Sequence, residues 1–201
     1  MEHIEIEFKM LLDEKIFHKI LKDYKEQITD SYQQTNYYLF HPELEKRKYS
    51  LRIREKKGSY ELTLKRPAKE GLKELNLDIN QEIKEMIINH QDISNERFDL
   101  LKKEKIYIKD LQCGDYLTTI RHDILLLDGM LSLDENEYSH HHDYEIEFEV
   151  NDSKKGLETF KEIIKPYHLQ YTSNCPSKIK RLLQTKNQWF NNHWFFLKKH
   201  S

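Results

Sequence analysis

Cysteine, glycine and proline are all scarce in this chain of 201 residues, which has 2 cysteines, 5 glycines and 4 prolines. Two cysteines are too few for a disulfide framework, so a reducing compartment is expected. The chain is also far too rich in isoleucine, leucine and aromatic residues to be disordered. We therefore predict one folded domain with a real apolar core.

Long apolar runs and a dominant sign of charge are absent as well. No stretch approaches the roughly 20 apolar residues that a membrane-spanning helix needs, and no basic-then-apolar leader opens the chain. The 33 lysines and arginines nearly balance the 35 aspartates and glutamates, so overall charge gives no argument for nucleic acid. These absences predict a soluble cytoplasmic protein with neither a membrane nor a nucleic acid as partner.

Charged side chains are sorted onto one face in several short stretches. In a strand, alternate side chains share a face, so Glu5, Glu7 and Lys9 would lie on one face and the apolar residues between them on the other. The same division recurs in residues 49–54, 60–65 and 144–150. Carboxylates gather in the first and last of these strands and basic residues in those between, which favours a shared site.

The remaining pattern alternates helices with strands. Apolar spacing predicts helices over 13–28, 81–89, 95–105 and 157–167, and a final helix that begins near residue 174. Further strands are predicted over 35–41, 72–79, 107–109, 116–122, 124–127 and 130–134, with turns at 58–59, 113–115 and 128–129. The aromatic tail, residues 188–201, is expected to dock on the body or on a second subunit, which would give a homodimer.

Two folds are compatible with this alternation. A surface sheet with one solvated face also alternates apolar and polar residues. Segregation of the two signs of charge onto different strands instead favours a closed barrel, in which about eight antiparallel strands surround room for one small ligand. We predict an α+β protein in which a closed antiparallel eight-stranded β-barrel forms a tunnel and the helices pack outside.

Charges that face such an interior need counter-ions, because unpaired buried charges are costly. Clustered carboxylates are hard ligands that select Mg²⁺ or Mn²⁺, and clustered arginines and lysines bind phosphate. Together they fit a metal-bound polyphosphate. The run His140–His142 is predicted to be a loop and not a zinc site, because adjacent residues reach one ion poorly. Cys113 and Cys175 are expected to be inert thiols.

The order of the motifs resembles the CYTH superfamily, the triphosphate tunnel metalloenzymes, which include adenylate cyclases of one class, thiamine triphosphatases and inorganic triphosphatases. The stretch Glu5-x-Glu7-x-Lys9 is similar to the ExExK signature of that family. The resemblance spans about residues 2–183 and is greatest to the small CYTH proteins of low-GC Gram-positive bacteria. It implies a CYTH domain over 1–187. The segment around Glu74 is hard to align, and its role stays open.

The resemblance also implies roles for individual residues. Glu5, Glu7 and Lys9 would be catalytic. The implied metal ligands are Glu5, Glu7, Glu145 and Glu147. The implied substrate-binding residues are Lys9, Arg52, Arg54, Lys65, Arg121 and Lys178. Glu61 would bind metal or orient an arginine, with the second alternative favoured.

The function that follows is hydrolysis of a triphosphate by a metal-dependent triphosphatase. Phosphoryl transfer needs charge neutralisation and in-line positioning more than a nucleophilic side chain. Inorganic triphosphate, a nucleoside triphosphate and thiamine triphosphate are all candidate substrates. Two alternatives remain: a non-catalytic polyphosphate or nucleotide sensor, and an adenylate cyclase, although no residue stands out as holding a nucleobase.

Overall fold

The computed structural model describes residues 2–91, 93 and 98–185, so the predicted aromatic tail lies outside the described residues. Eight strands form one sheet in this part of the chain. They are β1 Glu2–Leu12, β2 Asp30–Phe40, β3 Ser50–Lys56, β4 Ser59–Pro67, β5 Leu72–Ile79, β6 Gln112–Leu126, β7 Gly129–Tyr138 and β8 His141–Val150.

The sheet closes on itself in the order β1-β5-β4-β3-β2-β6-β7-β8, and every neighbouring pair is antiparallel. Strand β1 closes the barrel by dividing its pairing. Its residues 2–5 pair with β5, and its residues 6–12 pair with β8. The predicted closed eight-stranded barrel is confirmed.

The helices are α1 Glu14–Asp23, α2 Pro42–Arg47, α3 Gln81–Ile88, α4 Asp99–Lys103, α5 Ser153–Ile164 and α6, residues 178–185. Phe17 of α1 and Phe160 of α5 pack in one cluster with Phe148 of β8. A second cluster joins β3 and β4 to α4, for example through Ile53 and Leu101. The apolar core therefore lies between the barrel wall and the helices. No helix of the described residues is long and apolar enough to cross a membrane.

Several local predictions were wrong. Residues 108–110 form a short 3₁₀ helix where residues 107–109 were predicted to be a strand. The predicted turn at residues 113–115 lies inside β6, because that strand begins at Gln112 and pairs with the end of β2. Gly114 fits there because a Cβ on it would overlap the ring of Phe40. The glycine marks close packing and not a turn.

The tight turns lie one residue earlier than predicted. Lys57 and Gly58 connect β3 to β4, and both have positive φ, 50° and 77°. Paired positive values are typical of the primed turns that fit twisted hairpins. Residues 127–128 connect β6 to β7. His141 and His142 belong to β8, so only His140 lies in the predicted loop.

A non-helical segment, residues 168–177, leads from the outside of the barrel back to β1. The side chain of Asn174 accepts a hydrogen bond from the Lys9 backbone N–H at 2.8 Å and donates one to the Glu7 carbonyl at 2.9 Å. The Cys175 N–H donates to the Lys9 carbonyl at 3.2 Å. The edge of β1 that β5 leaves uncovered is thereby paired. Because Asn174 and Cys175 make these bonds, the final helix begins at residue 178, not near 174.

Candidate functional site

The barrel interior encloses a cavity of about 1170 Å³ that is lined by side chains of all eight strands and of α6. Alternation turns one face of each strand inward, and in β1, β3, β4 and β8 this is the charged face that the sequence pattern predicts. Nearly all of the predicted site residues line this cavity: Glu5, Glu7, Lys9, Arg52, Arg54, Lys65, Arg121, Glu147 and Lys178. Glu145 is fully buried just behind it.

One group of carboxylates surrounds the ammonium of Lys178. Oxygens of Asp134, Glu145 and Glu147 lie within 4.8 Å of one another, and these three residues could hold a metal ion. The Lys178 Nζ lies 2.8, 2.7 and 2.7 Å from them, in that order. Arg121 donates from Nε to Asp134 at 2.7 Å and also pairs with Glu147. The five charges form one buried network, which we call the Lys178 group.

Glu147 and Lys178 of this group stay ionised. Burial opposes the ionisation of Glu147, but Lys178 and Arg121 outweigh it and hold the pKa of this carboxyl well below its usual value. Burial also opposes the charge on Lys178, yet the neighbouring carboxylates raise the pKa of its ammonium well above the ordinary value. Paired buried charges of this kind are costly to separate, because removal of one partner leaves the other as an unpaired charge in the interior.

A second group of carboxylates surrounds Lys65 on another part of the wall. The Lys65 Nζ lies 2.6 Å from a Glu5 oxygen and 2.8 Å from a Glu74 oxygen. Burial raises the pKa of Glu5 and, with Glu7 and Glu74 adding to it, outweighs the opposing Lys65. Burial also raises the pKa of Glu149, and Glu5 adds to that shift. Negative charge is therefore in excess here.

Lys9 lies between the two groups. Its ammonium pairs with Glu7, and its position in β1 is directly opposite Glu147 of β8. Although burial works against the charge, Glu7 and Glu147 raise the pKa of Lys9 above its ordinary value. Lys9 is thus the cation that links the carboxylates of the first strand to those of the last.

Arginines of β3 provide positive charge, and within the described residues neither Arg52 nor Arg54 forms an ion pair, although Glu74 attracts both from a longer distance. Burial, together with Arg52 and Arg121, lowers the pKa of Arg54 to about 10. The Arg54 Nε donates to the neutral side chain of Asn36 at 3.1 Å. The Arg52 Nε is buried and has no hydrogen-bond partner among the described residues. A buried cation whose pKa is lowered by neighbouring cations favours a bound anion.

The structure brings the predicted residues together only in part. Glu145 and Glu147 belong to the Lys178 group, whereas Glu5 lies with Lys65. Glu61 is opposite Arg54 across the β3–β4 pair, in line with an orienting role. Of the neighbouring tyrosines of β2, Tyr38 lines the cavity and Tyr37 does not. The Tyr37 hydroxyl donates a hydrogen bond to Glu55 at 3.1 Å. Three residues of these networks were not predicted to belong to the site: Glu74, Asp134 and Arg181.

Asp134, one of the missed residues, could have been found from the register of the β6–β7 hairpin. A two-residue turn at residues 127–128 places Asp134 directly opposite Arg121 in the β6–β7 hairpin. The placement of the turn at 128–129 shifted that register by two and concealed the pair. Arg181 gave no such signal, because its partners, Asp143 and Glu145, are nearly forty residues away in the chain.

A closed antiparallel barrel whose walls turn acidic and basic side chains towards one hollow defines a tunnel protein. The family model of the CYTH domain matches residues 3–181 of the chain. The chain therefore belongs to the CYTH domain family, as its resemblance predicted.

Individual relatives agree with this assignment. The protein named "Putative triphosphatase YjbK" of Bacillus subtilis (strain 168) is 30% identical over 191 residues, which are 93% of this chain and 98% of that protein. A Bacillus halodurans crystal structure described as a "putative adenylate cyclase" is 32% identical with a TM-score of 0.81, and the match covers 90% of this chain and 97% of that one.

A more distant structure shows the same fold. It is the "putative adenylyl cyclase HpAC1" from Hippeastrum, described as having a dominant triphosphatase activity, at 21% identity and a TM-score of 0.72. The match covers 92% of this chain and 96% of that chain.

Proposed function

We propose that the protein is a divalent-metal-dependent triphosphatase that hydrolyses a triphosphate-containing substrate inside the barrel. The observation that carries this proposal is that a cationic surface and an acidic surface line the same cavity. Arg52 and Arg54 present cationic groups that form no ion pair within the described residues, and clusters of carboxylates lie elsewhere on the same wall. A metal-bound triphosphate complements both surfaces, because it offers anionic oxygens to the arginines and a cation to the carboxylates.

The donor set fits a hard divalent cation. Carboxylate oxygens alone make up the candidate metal group, and such ligands suit Mg²⁺ or Mn²⁺. The position of the Lys178 ammonium among three of them also supports a preference for positive charge there. When bound, the ion would lower the pKa of a water that attacks the terminal phosphorus. We propose Glu5, Glu7, Glu145 and Glu147, with Asp134 added, as the ligands of one or two such ions.

The cationic side chains would hold the phosphate chain. Arginine offers two parallel donors to phosphate oxygens, and lysine offers a compact charge. We propose that Arg52 and Arg54 bind the phosphates together with Lys9, Lys65, Arg121 and Lys178. Neutralisation and alignment by such groups supply most of the catalysis that phosphoryl transfer requires. The relative named as a triphosphatase supports the same reaction.

The test is phosphate release from inorganic triphosphate in the presence of Mg²⁺ or Mn²⁺. We expect release by the unaltered chain, and loss of about 100-fold or more in Glu7→Gln, because that change removes a carboxylate of the cavity while keeping its shape. The matched control is Glu162→Gln on the outer surface of α5, where the carboxylate is 72% exposed. The control should retain full activity.

Other outcomes would change the proposal. Triphosphate binding without phosphate release would identify a sensor, and cyclic AMP formed from ATP would identify a cyclase. A panel of inorganic triphosphate, nucleoside triphosphates and thiamine triphosphate, each assayed with both metals, would select the substrate. We further propose a cytoplasmic location, which the scarcity of cysteine supports.

A further inference from the structure

The carboxylate of Glu145 has donors on both of its oxygens. Its Oε2 accepts from the Lys178 Nζ at 2.7 Å and from the Arg181 Nη2 at 2.8 Å. Its Oε1 accepts from the Cys175 thiol at 3.3 Å and lies 3.4 Å from the Arg181 Nη1. Glu145 itself is fully buried. Two cations therefore share one carboxylate, and only one of them, Lys178, reaches the cavity.

Arg181 is held in place on several sides. It is 5% exposed, its Nε lies 2.9 Å from a carboxylate oxygen of Asp143, and its Nη1 donates to the Pro176 carbonyl at 2.7 Å. These contacts join α6 to the segment before it and to β8. A planar guanidinium fork suits such a multidentate position, and the ammonium of a lysine does not.

We propose that Arg181 is a positioning residue, which holds Glu145 in place and thereby leaves the Lys178 ammonium available for phosphate. This inference rests on the proposed function. Arg181 does not line the cavity, so it would act on substrate only through Glu145 and Lys178.

The charges predict opposite effects on the two ligands when Arg181 is lost. Without the guanidinium, Glu145 keeps Lys178 as its main cation and draws the ammonium away from phosphate, so a triphosphate should bind less tightly. The same loss removes one positive charge from beside the carboxylates of the Lys178 group. A divalent cation should then bind more tightly, because it meets a more negative potential. A variant that is merely disordered would weaken both interactions.

The experiment measures both affinities directly on the full chain with Arg181→Gln. Free Mn²⁺ is titrated and followed by electron paramagnetic resonance, and inorganic triphosphate is titrated separately in chelator by calorimetry. We expect Mn²⁺ affinity to rise about fivefold and triphosphate affinity to fall about fivefold. A change of this size is expected when one unit charge, partly screened by solvent, is removed nearby. Arg181→Lys keeps the charge and should bring Mn²⁺ affinity back to within about twofold of the original value.

Arg66→Gln is the matched control, since Arg66 also pairs with two carboxylates, Glu2 and Glu104, but outside the cavity. It should alter neither affinity. If Arg181→Gln moves the two affinities in the same direction, or moves neither, the inference is wrong. If Arg181→Gln does not fold, the outcome with Arg181→Lys decides. An Mn²⁺ affinity that stays unchanged, together with a triphosphate affinity that falls about twofold, supports the inference. Any other result overturns it. If the unaltered chain binds neither ligand, it is the proposed function that fails.

Discussion

At the scale of single residues, Lys65 shows how one ammonium serves two unequal carboxylates. It lies within 2.8 Å of both Glu5 and Glu74, yet the pKa of Glu5 is raised and that of Glu74 is lowered. Burial opposes the ionisation of both. Glu74 differs because Lys65, Arg52 and a hydrogen bond from Asn76 overcome that cost and lower its pKa to about 2. Glu74 is thus a fixed charge, and its contribution to stability depends on pH.

We expect Glu74→Gln to be less stable than the unaltered chain by about 1–2 kcal/mol at pH 7, with the estimate discounted for solvent screening. A carboxyl whose folded pKa is lowered stabilises the fold above its unfolded pKa, near 4.5, and loses that contribution as the pH falls towards 2. The difference between the two proteins should therefore shrink over this range. Urea unfolding at a series of pH values measures it, and a difference that stays constant with pH would contradict the assignment.

The residues that sequence could predict are those whose partners are local. Glu5, Glu7 and Lys9 share a face because strands alternate, and no other part of the chain is needed to see this. Glu74 lies opposite Lys65 in the β4–β5 pair, a register that depends on where the connection between these strands falls. Arg181 meets Glu145 only because the chain returns to the barrel after α5. Composition and periodicity contain no signal for such pairs. The same limit hid the division of the carboxylates into two groups.

At the scale of elements, glycines had the least predictable roles. Gly129 was expected to form a turn, but it lies in β7, where a Cβ would overlap the carbonyl oxygen of Glu149. Gly156 lies inside α5, where helix propensity alone would favour alanine. A Cβ on Gly156 would lie only 2.5–2.9 Å from side-chain atoms of Val150. Close approach of helix to strand therefore selects glycine at this position.

We expect Gly156→Ala to destabilise the protein, although propensity alone predicts a gain of about 1 kcal/mol. Overpacking against Val150 costs about 1–3 kcal/mol, which is the larger effect. Chemical denaturation measures the change. The double variant Gly156→Ala, Val150→Ala should lose less free energy of unfolding than the two single variants lose in sum. The smaller side chain at residue 150 makes room for the new methyl group. Lys154→Ala, on the exposed face of the same helix, should change stability by less than about 0.5 kcal/mol.

At the scale of the whole molecule, the fold separates an apolar core from a charged cavity. Apolar side chains fill the space between the wall and the helices, and charged side chains fill the barrel. The closed sheet could be predicted because four of its strands repeat the same division of charged and apolar faces. Ion pairs stabilise part of the barrel interior, but among the described residues none of these pairs involves Arg52 or Arg54. An anion that binds the arginines should therefore stabilise the entire fold.

We expect inorganic triphosphate, added in chelator at about 100 times its dissociation constant, to stabilise the protein by about 2.7 kcal/mol. For a chain of this length that gain corresponds to a rise in Tm of about 5–10 °C. Scanning calorimetry measures the shift. Arg52→Gln should lose most of it, whereas Lys165→Gln, on the surface with a side chain 75% exposed, should keep it. An equal shift in Arg52→Gln would show that the anion binds elsewhere.

The attachment of segment 168–177 to β1 has a consequence for biosynthesis. All eight strands are complete by Val150, but Lys178 and Arg181, the two cations that pair with Glu145, follow only with α6. A polypeptide still leaving the ribosome could therefore close its barrel while Glu145 lacks its cations. Domains generally fold as units during translation, so the Lys178 group should be complete only late, after the last helix has packed against the barrel.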